Sequence, residues 1–315
     1  MQFLEFEKPI IEIEEKIKAL KKIQEYESHI NLFNDIKKLE KKKNDKIKKI
    51  FFNLNEWQMI QMARHPMRPY AIDYIERSFT DFQELRGDRV FQNDTAIIAG
   101  LARINKEPVM VIGQQKGRTT KEKIYRNFGM PHPEGYRKSL RLMKLAERFK
   151  LPVITLIDTP GAYPGIQAEE RGQSIAIANN LISMVKLKIP IINLIIGEGC
   201  SGGALGIGVG DRLLMMQYSY FAAISPEGCA TILWKDIKKA PKAAKKMGIT
   251  PNRLFKNKLV DFIIKEPLGG ANRNYQKTAD KVKKILFQEI KTLNKLTIHQ
   301  LLNQRYERIM NFGIS

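Results

Sequence analysis

Thiols and imidazoles are scarce in this chain of 315 residues, which has two cysteines (Cys200 and Cys229) and four histidines (His29, His65, His132 and His299). The cysteines form no CxxC pair and lie in apolar, glycine-bearing surroundings with no histidine nearby. That argues against a disulfide framework and against a thiolate metal site. The histidines share no motif, so neither a zinc-ligand set nor a Ser–His–Asp arrangement can be read, and no P-loop is present. Long hydrophobic runs are also missing, and without a run of roughly eighteen apolar residues no membrane span is expected. The opening MQFLEFEKPI carries acids and no apolar h-region, so it does not read as a secretory signal and a cytoplasmic location is expected. Acids are short too: 33 Asp and Glu face 54 Lys and Arg, a net charge of +21.

The charge has two readings. A polyanion partner is one, since clustered Lys and Arg form an electrostatic footprint for nucleic acid. The other, favoured here, is a drift toward lysine on solvated surfaces. The lysines of 41–49, 235–246 and 277–295 are scarcely interleaved with aromatics, and no nucleic-acid fold signature accompanies them. With 43% hydrophobic and 28% charged residues the chain is large enough to bury a sizeable core.

Along the chain, Ile10, Ile13, Ile17 and Leu20 recur at helical spacing, as do Leu32, Ile36 and Leu39, then Ile47 and Ile50. Residues 1–50 therefore predict two or three amphipathic helices with a break near Ser28–Asn31, forming an extension to a main domain of 51–315. From Pro108 a unit repeats. Pro108-VMVIG, Pro152-VITLID and Pro190-IINLIIG each place a proline before a β-branched run and a glycine-containing loop after it. A proline opening a strand forfeits little of the hydrogen-bond ladder. Helical patterns at 135–150 and 169–186 separate the runs, so the fold class is α/β, with crossovers and a mostly parallel sheet covered on both faces. Residues 213–216 and 220–224 read as short strands, 226–234 as a loop and helix, and 274–310 as C-terminal helices.

The chemistry concentrates in IPIINLIIGEGCSGGALGIGVG, residues 189–210. Gly197, Gly199 and Gly202 spell GxGxxG after a strand, the dinucleotide fingerprint. Against that reading, the segment behind it is interrupted by Gly206, Gly208 and Gly210, no acid ends the next strand, and this is the third repeat rather than the first. Ser201 lacks the flanking glycines of a GxSxG elbow. The stronger reading makes Gly202 and Gly203 backbone donors to an oxygen gaining charge, aided by a helix starting near Ala204; tight strand–helix packing is the plain alternative. Thr159, Pro160, Gly161, Ala162 and Tyr163 form a rigid turn that shapes a pocket rim or merely connects strand to helix, with Asp158 as its cap. Glu227 and Gly228 sit at another turn, where Glu227 orients a ligand or loop or is simply a satisfied carboxylate. Lys116, Arg118 and Arg126, in a charged loop, are candidates for phosphate or carboxylate contacts, or else a solvated surface.

Long stretches resemble one family, the carboxyltransferase alpha subunits of bacterial acetyl-CoA carboxylase in the crotonase-like superfamily. They include WQMIQMARHPMRPYAIDYI (57–75), KEKIYRNFGMPHPEGYRKSLRLMKLAERFK (121–150), IDTPGAYPGIQAEERGQS (157–174), GEGCSGGALGIGVGD (197–211) and ISPEGCATILWK (224–235). Cys200 and Gly206 depart from it, standing where the family usually has Gly and Ala. The resemblance implies a crotonase-like ββα superhelix and a half-enzyme that pairs with a beta subunit, commonly two of each. Carboxyl would pass from carboxybiotin, held on a biotin carboxyl carrier protein, to acetyl-CoA, giving malonyl-CoA for fatty-acid synthesis. Gly202 and Gly203 would polarise the ureido oxygen, and Ser201 and Ala204 would flank the biotin site. Zinc would belong to the beta subunit and ATP to a separate biotin carboxylase; no covalent cofactor and no metal are expected on this chain. A stand-alone crotonase-type acyl-CoA hydratase or isomerase and a basic nucleic-acid-binding protein remain as alternatives.

Overall fold

The computed structural model describes residues 3–26 and 31–313. Eight strands form one sheet: β1 (Thr80–Glu84), β2 (Ile97–Ile104), β3 (Glu107–Gln114), β4 (Val153–Thr159), β5 (Ile191–Cys200), β6 (Arg212–Met216), β7 (Tyr220–Ala222) and β8 (Phe262–Ile264). Their order is β1-β2-β3-β4-β5-β6-β8, with β7 pairing the end of β5. The three proline-led runs become β3, β4 and β5, parallel to one another. Pro152 and Pro190 stand just before their strands and still accept, through their carbonyls, from Met110 and Val153 N–H.

The first two strands depart from the expected parallel pattern, because β1–β2 and β2–β3 are antiparallel. The hairpin between β2 and β3 turns on Asn105 and Lys106, both at positive φ (46° and 71°), the geometry that matches strand twist in a two-residue loop.

Strict alternation splits the sheet between two cores. Ile154, Leu156, Ile192, Leu194 and Ile196 face the helices Ala71–Ser78 and Tyr275–Leu293. Val153, Ile157, Ile191 and Ile195 face Pro133–Arg148 and Gln173–Lys186. Each such fully buried side chain contributes about 1.5–3 kcal/mol, and β4 and β5, buried at every residue, form a firm base for the turns at their carboxyl ends.

The helix expected over 169–186 is two, Ile166–Glu170 and Gln173–Lys186, broken where Gly172 takes φ 78°. The C-terminal pattern likewise divides into Tyr275–Leu293 and Ile298–Met310, the second capped by Thr297. From the latter, Arg305 reaches into the interior. It pairs with both oxygens of Asp211 at 2.8 Å and donates to the carbonyls of Met184, Leu187 and Ile189, holding the turn that enters β5.

At the N-terminal end, helices Lys8–Tyr26 and Phe33–Phe51 pair along Ile13, Ile17, Ile36, Leu20, Leu32 and Leu39. Most of the expected break at Ser28–Asn31 lies outside the described residues, as does His29. At the base of this hairpin Ile10, Ile47 and Phe51 pack on Leu54, Met62 and Tyr218. There Glu7 and His65, both buried, meet at 3.0 Å.

Candidate active site

Parallel strands place their carboxyl ends together, the usual location of a ligand site in such sheets. Here the ends of β3, β4 and β5 carry two unlike constructions, one on each flank.

The first is ionic. Lys116, two residues beyond β3, donates from Nζ to Asp158 Oδ1 at 2.7 Å and to Glu198 Oε1 at 2.6 Å. Arg64, capping the helix Glu56–Ala63, donates to Glu198 Oε2 at 2.6 Å and to Glu227 Oε1 at 2.5 Å. The Tyr220 hydroxyl donates to Glu198 Oε2 at 2.7 Å and accepts from Arg64 Nη2 at 3.0 Å. Asp158 is 1% exposed and Glu198 6%, so these charges persist only because they are paired. Burial alone would push the Glu198 carboxyl up, but Lys116 and Arg64 outweigh it and hold it at about 2. Asp158 is raised, because burial there exceeds the pull of Lys116. A cleft of about 200 Å³ opens beside the cluster between Arg64, Tyr70, Lys116, Arg118 and Phe128.

The second construction is made of main chain. The helix after β5 spans Ser201–Leu205, starting three residues before the expected position and lasting barely more than one turn. Ser201 enters it at φ 58°. Gly202 and Gly203 are the second and third residues of this helix, so their N–H groups belong to the first turn, which has no intrahelical acceptor for them, and no side chain among the described residues accepts from them. The two glycines have different reasons to be there. A Cβ on Gly203 would collide with the backbone of Gly161 and Ala162, whereas one on Gly202 would meet only Ile177 at 3.6 Å. Gly203 therefore joins this turn to the Thr159–Tyr163 segment, where Gly161 N–H and O both bond to the Thr159 hydroxyl. Ala204 is buried behind them and Ser201 is exposed.

The remaining candidate residues scatter. Arg118 pairs with Asp73 and lies over the Tyr70 ring at 4.6 Å, while Arg126 turns away to the Thr95 carbonyl at 2.9 Å. Lys116, expected to meet a phosphate or carboxylate ligand, is held by the protein's own acids because a buried ammonium needs a counter-charge. Asp158 is not the cap of a loop: it accepts from Lys116 and from the Glu198 N–H at 2.9 Å. Gly228 N–H is capped by Ser225, and the Tyr163 ring lies against His132 with centroids 4.3 Å apart. Arg64, Glu198 and Tyr220 lie within stretches named above, yet none of the three stands out there as a functional residue. A signal for Glu198 does exist: an acid inside an otherwise apolar buried strand must have a buried partner. The first glycine of the GxGxxG pattern is explained by packing, since a Cβ on Gly197 would lie 2.5 Å from Asp158 Oδ1.

Solved structures with this fold include a malonate decarboxylase and a geranyl-CoA carboxylase subunit. A Pseudomonas malonate decarboxylase hetero-tetramer aligns with TM-score 0.56 at 16% identity over 70% of this chain and 88% of that one. The P. aeruginosa geranyl-CoA carboxylase beta subunit aligns with TM-score 0.54 at 15% identity, over 75% and 45%. These likenesses give the fold, the crotonase type, with a helical extension before it and helices after it. Sequence gives the family. Residues 3–313 match the family described as acetyl co-enzyme A carboxylase carboxyltransferase-like. The acetyl-coenzyme A carboxylase carboxyl transferase subunit alpha of Histophilus somni (strain 129Pt) is 59% identical over 99% of this chain and 98% of its own. That of Wigglesworthia glossinidia brevipalpis is 58% identical over 99% of each. The chain belongs to the acetyl-CoA carboxylase carboxyltransferase family and is a carboxyltransferase. Family membership favours neither the hydratase nor the nucleic-acid alternative.

Proposed function

We propose that this chain is the alpha half of a carboxyltransferase that moves a carboxyl group from carboxybiotin to acetyl-CoA, yielding malonyl-CoA. The observation that carries the reading is the pair of first-turn N–H groups at Gly202 and Gly203, set at the carboxyl end of the best-buried strands. Carboxybiotin, when bound, supplies the carboxyl group and the ring nitrogen that carries it. The chain's part is electrostatic. Gly202 and Gly203 donate to the ureido oxygen as it gains negative charge, a role in which fixed amides need no reorganisation. The Gly161–Ala162 backbone supports the turn, and the ionic cluster keeps the ends of β3, β4 and β5 in register. Lys116, Glu198 and Arg64 satisfy one another, so they act as scaffold rather than as acid or base.

The partner of this half is a beta subunit, which brings the zinc, and the pair assembles as two of each. Biotin arrives on a carrier protein and ATP is used by a separate biotin carboxylase, all in the cytoplasm. No described helix is long and apolar enough to cross a membrane. Residues 1–50 form an extension to a catalytic unit of 51–315, a division supported by the hairpin's own apolar seam.

The test is malonyl-CoA-dependent carboxylation of free biotin, measured with this chain alone and then with a beta subunit added. Activity in the mixture and not in either part is the expected result. No activity in a mixture shown by sedimentation to contain the complex would sink the reading.

A further inference from the structure

The helix Ser201–Leu205 is too short to satisfy its own carbonyls. Gly202 O accepts from Gly206 N–H, and Ile207 N–H goes to Ala204 O, so Gly203 O receives no backbone donor among the described residues. Two side chains take that place. Gln114 Nε2 donates to Gly203 O at 2.7 Å, and the Tyr136 hydroxyl donates at 3.3 Å. Tyr136 comes this close because position 206 is glycine: a Cβ there would lie 2.5 Å from its ring.

Gln114 does more than cap. Its Oε1 accepts the Asp158 N–H at 3.0 Å, so one carboxamide bridges the end of β4 and the turn after β5. Asp158 N–H can only donate and Gly203 O can only accept, which fixes the orientation of the amide without ambiguity. The residue is fully buried and is the last of β3, paired with Ile97 of β2. It therefore projects from a rigid element, as a group that sets geometry should. The Gly203 carbonyl shares a peptide plane with the Ala204 N–H and stands one residue beyond the Gly203 N–H, so a restraint on this carbonyl restrains the short turn that carries both glycine amides.

We propose that Gln114 is the positioning residue of the amide turn: by tying the Gly203 carbonyl to β4 it keeps the Gly202 and Gly203 N–H groups aimed at the oxygen that gains charge. This rests on the carboxyltransferase reading above. Two variants test it, in the chain assembled with its beta subunit. Gln114→Met keeps the side-chain volume and loses both bonds. It is expected to lower kcat about tenfold with KM within about twofold of wild type, the pattern of an interaction expressed in the transition state. It should also speed amide hydrogen exchange in a peptide covering 200–206 about tenfold, while a peptide from 275–293 exchanges as before. Gln114→Glu can donate to Gly203 O only when protonated, so its kcat should recover toward wild type as pH falls. The neighbouring titratable groups, Asp158, Lys116 and Tyr136, are present in both proteins and cancel in the ratio.

Unchanged kcat and exchange in Gln114→Met would overturn the assignment. Should that variant not assemble, a Gln114→Glu profile parallel to wild type would overturn it as well. Gly203→Val separates the two levels. If Gly203→Val retains full turnover, the amide reading itself fails. If it is inactive while Gln114→Met is untouched, only the role of Gln114 fails.

Discussion

On one flank of the β4 and β5 ends, charged side chains lock onto one another; on the other, two glycines offer main chain with nothing attached. Both flanks sit on the same two strands. The charged flank looks the more catalytic by residue type. Yet Lys116 and Arg64 bond Asp158, Glu198 and Glu227 at 2.5–2.7 Å, and a base so engaged has little left to offer a substrate. The bare flank holds first-turn amides that no side chain among the described residues engages. Charged residues at a strand end are as often the fixture as the tool, and their mutual distances distinguish the two.

The comparison breaks first at Gly203. Gly203→Val drives a branched side chain into the Gly161–Ala162 backbone and is expected to reduce malonyl-CoA formation by at least about 10²–10³-fold. Sedimentation should show the complex still formed, and full turnover would reject the role. Gly202→Ala, whose methyl meets only Ile177, should melt as wild type does.

On the ionic flank the expected loss is stability. Lys116→Met strands Asp158 and Glu198 without their shared cation, at a cost of about 3–5 kcal/mol, measurable as a lowered urea midpoint. A midpoint within error of wild type would show the cluster to be dispensable.

Acid provides a gentler probe of the same flank. Glu198 is held at about 2 in the folded protein, against roughly 4.3 for an unfolded glutamate. Its contribution is complete above the unfolded value and is lost as pH falls from about 4.5 toward 2. Asp158, raised by burial, shifts stability the opposite way and partly offsets the fall. Urea titrations across that range should show a decline that flattens in Glu198→Gln; identical slopes in the two proteins would discount Glu198 as the source.

The smallest effect concerns the cysteine where the flanks meet. Cys200 is buried, and burial raises its thiol to about 11, so at neutral pH iodoacetamide should label the more open Cys229 well before it. Labelling of both at one rate would mean that the turn opens in solution.

Much of this arrangement is legible in the chain. The proline-led runs announce β3, β4 and β5, and the glycines after Ile196 announce main chain free of side-chain bulk, because both are local signals. What escapes is non-local or unpatterned. β1 reads TDFQE, an edge strand with little alternation, and IIAGLARI of β2 lacks the proline that marks the others. Gln114 carries no sequence signature at all: its importance comes from two partners, 44 and 89 positions away. Arg64 is hidden within a helix end whose charge finds Glu198 only in three dimensions. Periodicity reports which face a residue takes, and it is silent on which distant atom waits there.

Arg305 places a condition on biosynthesis. Everything it grips, from Met184 to Asp211, leaves the ribosome about a hundred residues earlier. Until position 305 emerges, the nascent chain holds an unpaired carboxylate and three idle carbonyls at the entrance to its central strand. Among the described residues the Asp211 carboxylate then has only the Ile191 N–H to hold, so the entrance to β5 is completed by the last helix to be synthesised and not by its neighbours in sequence.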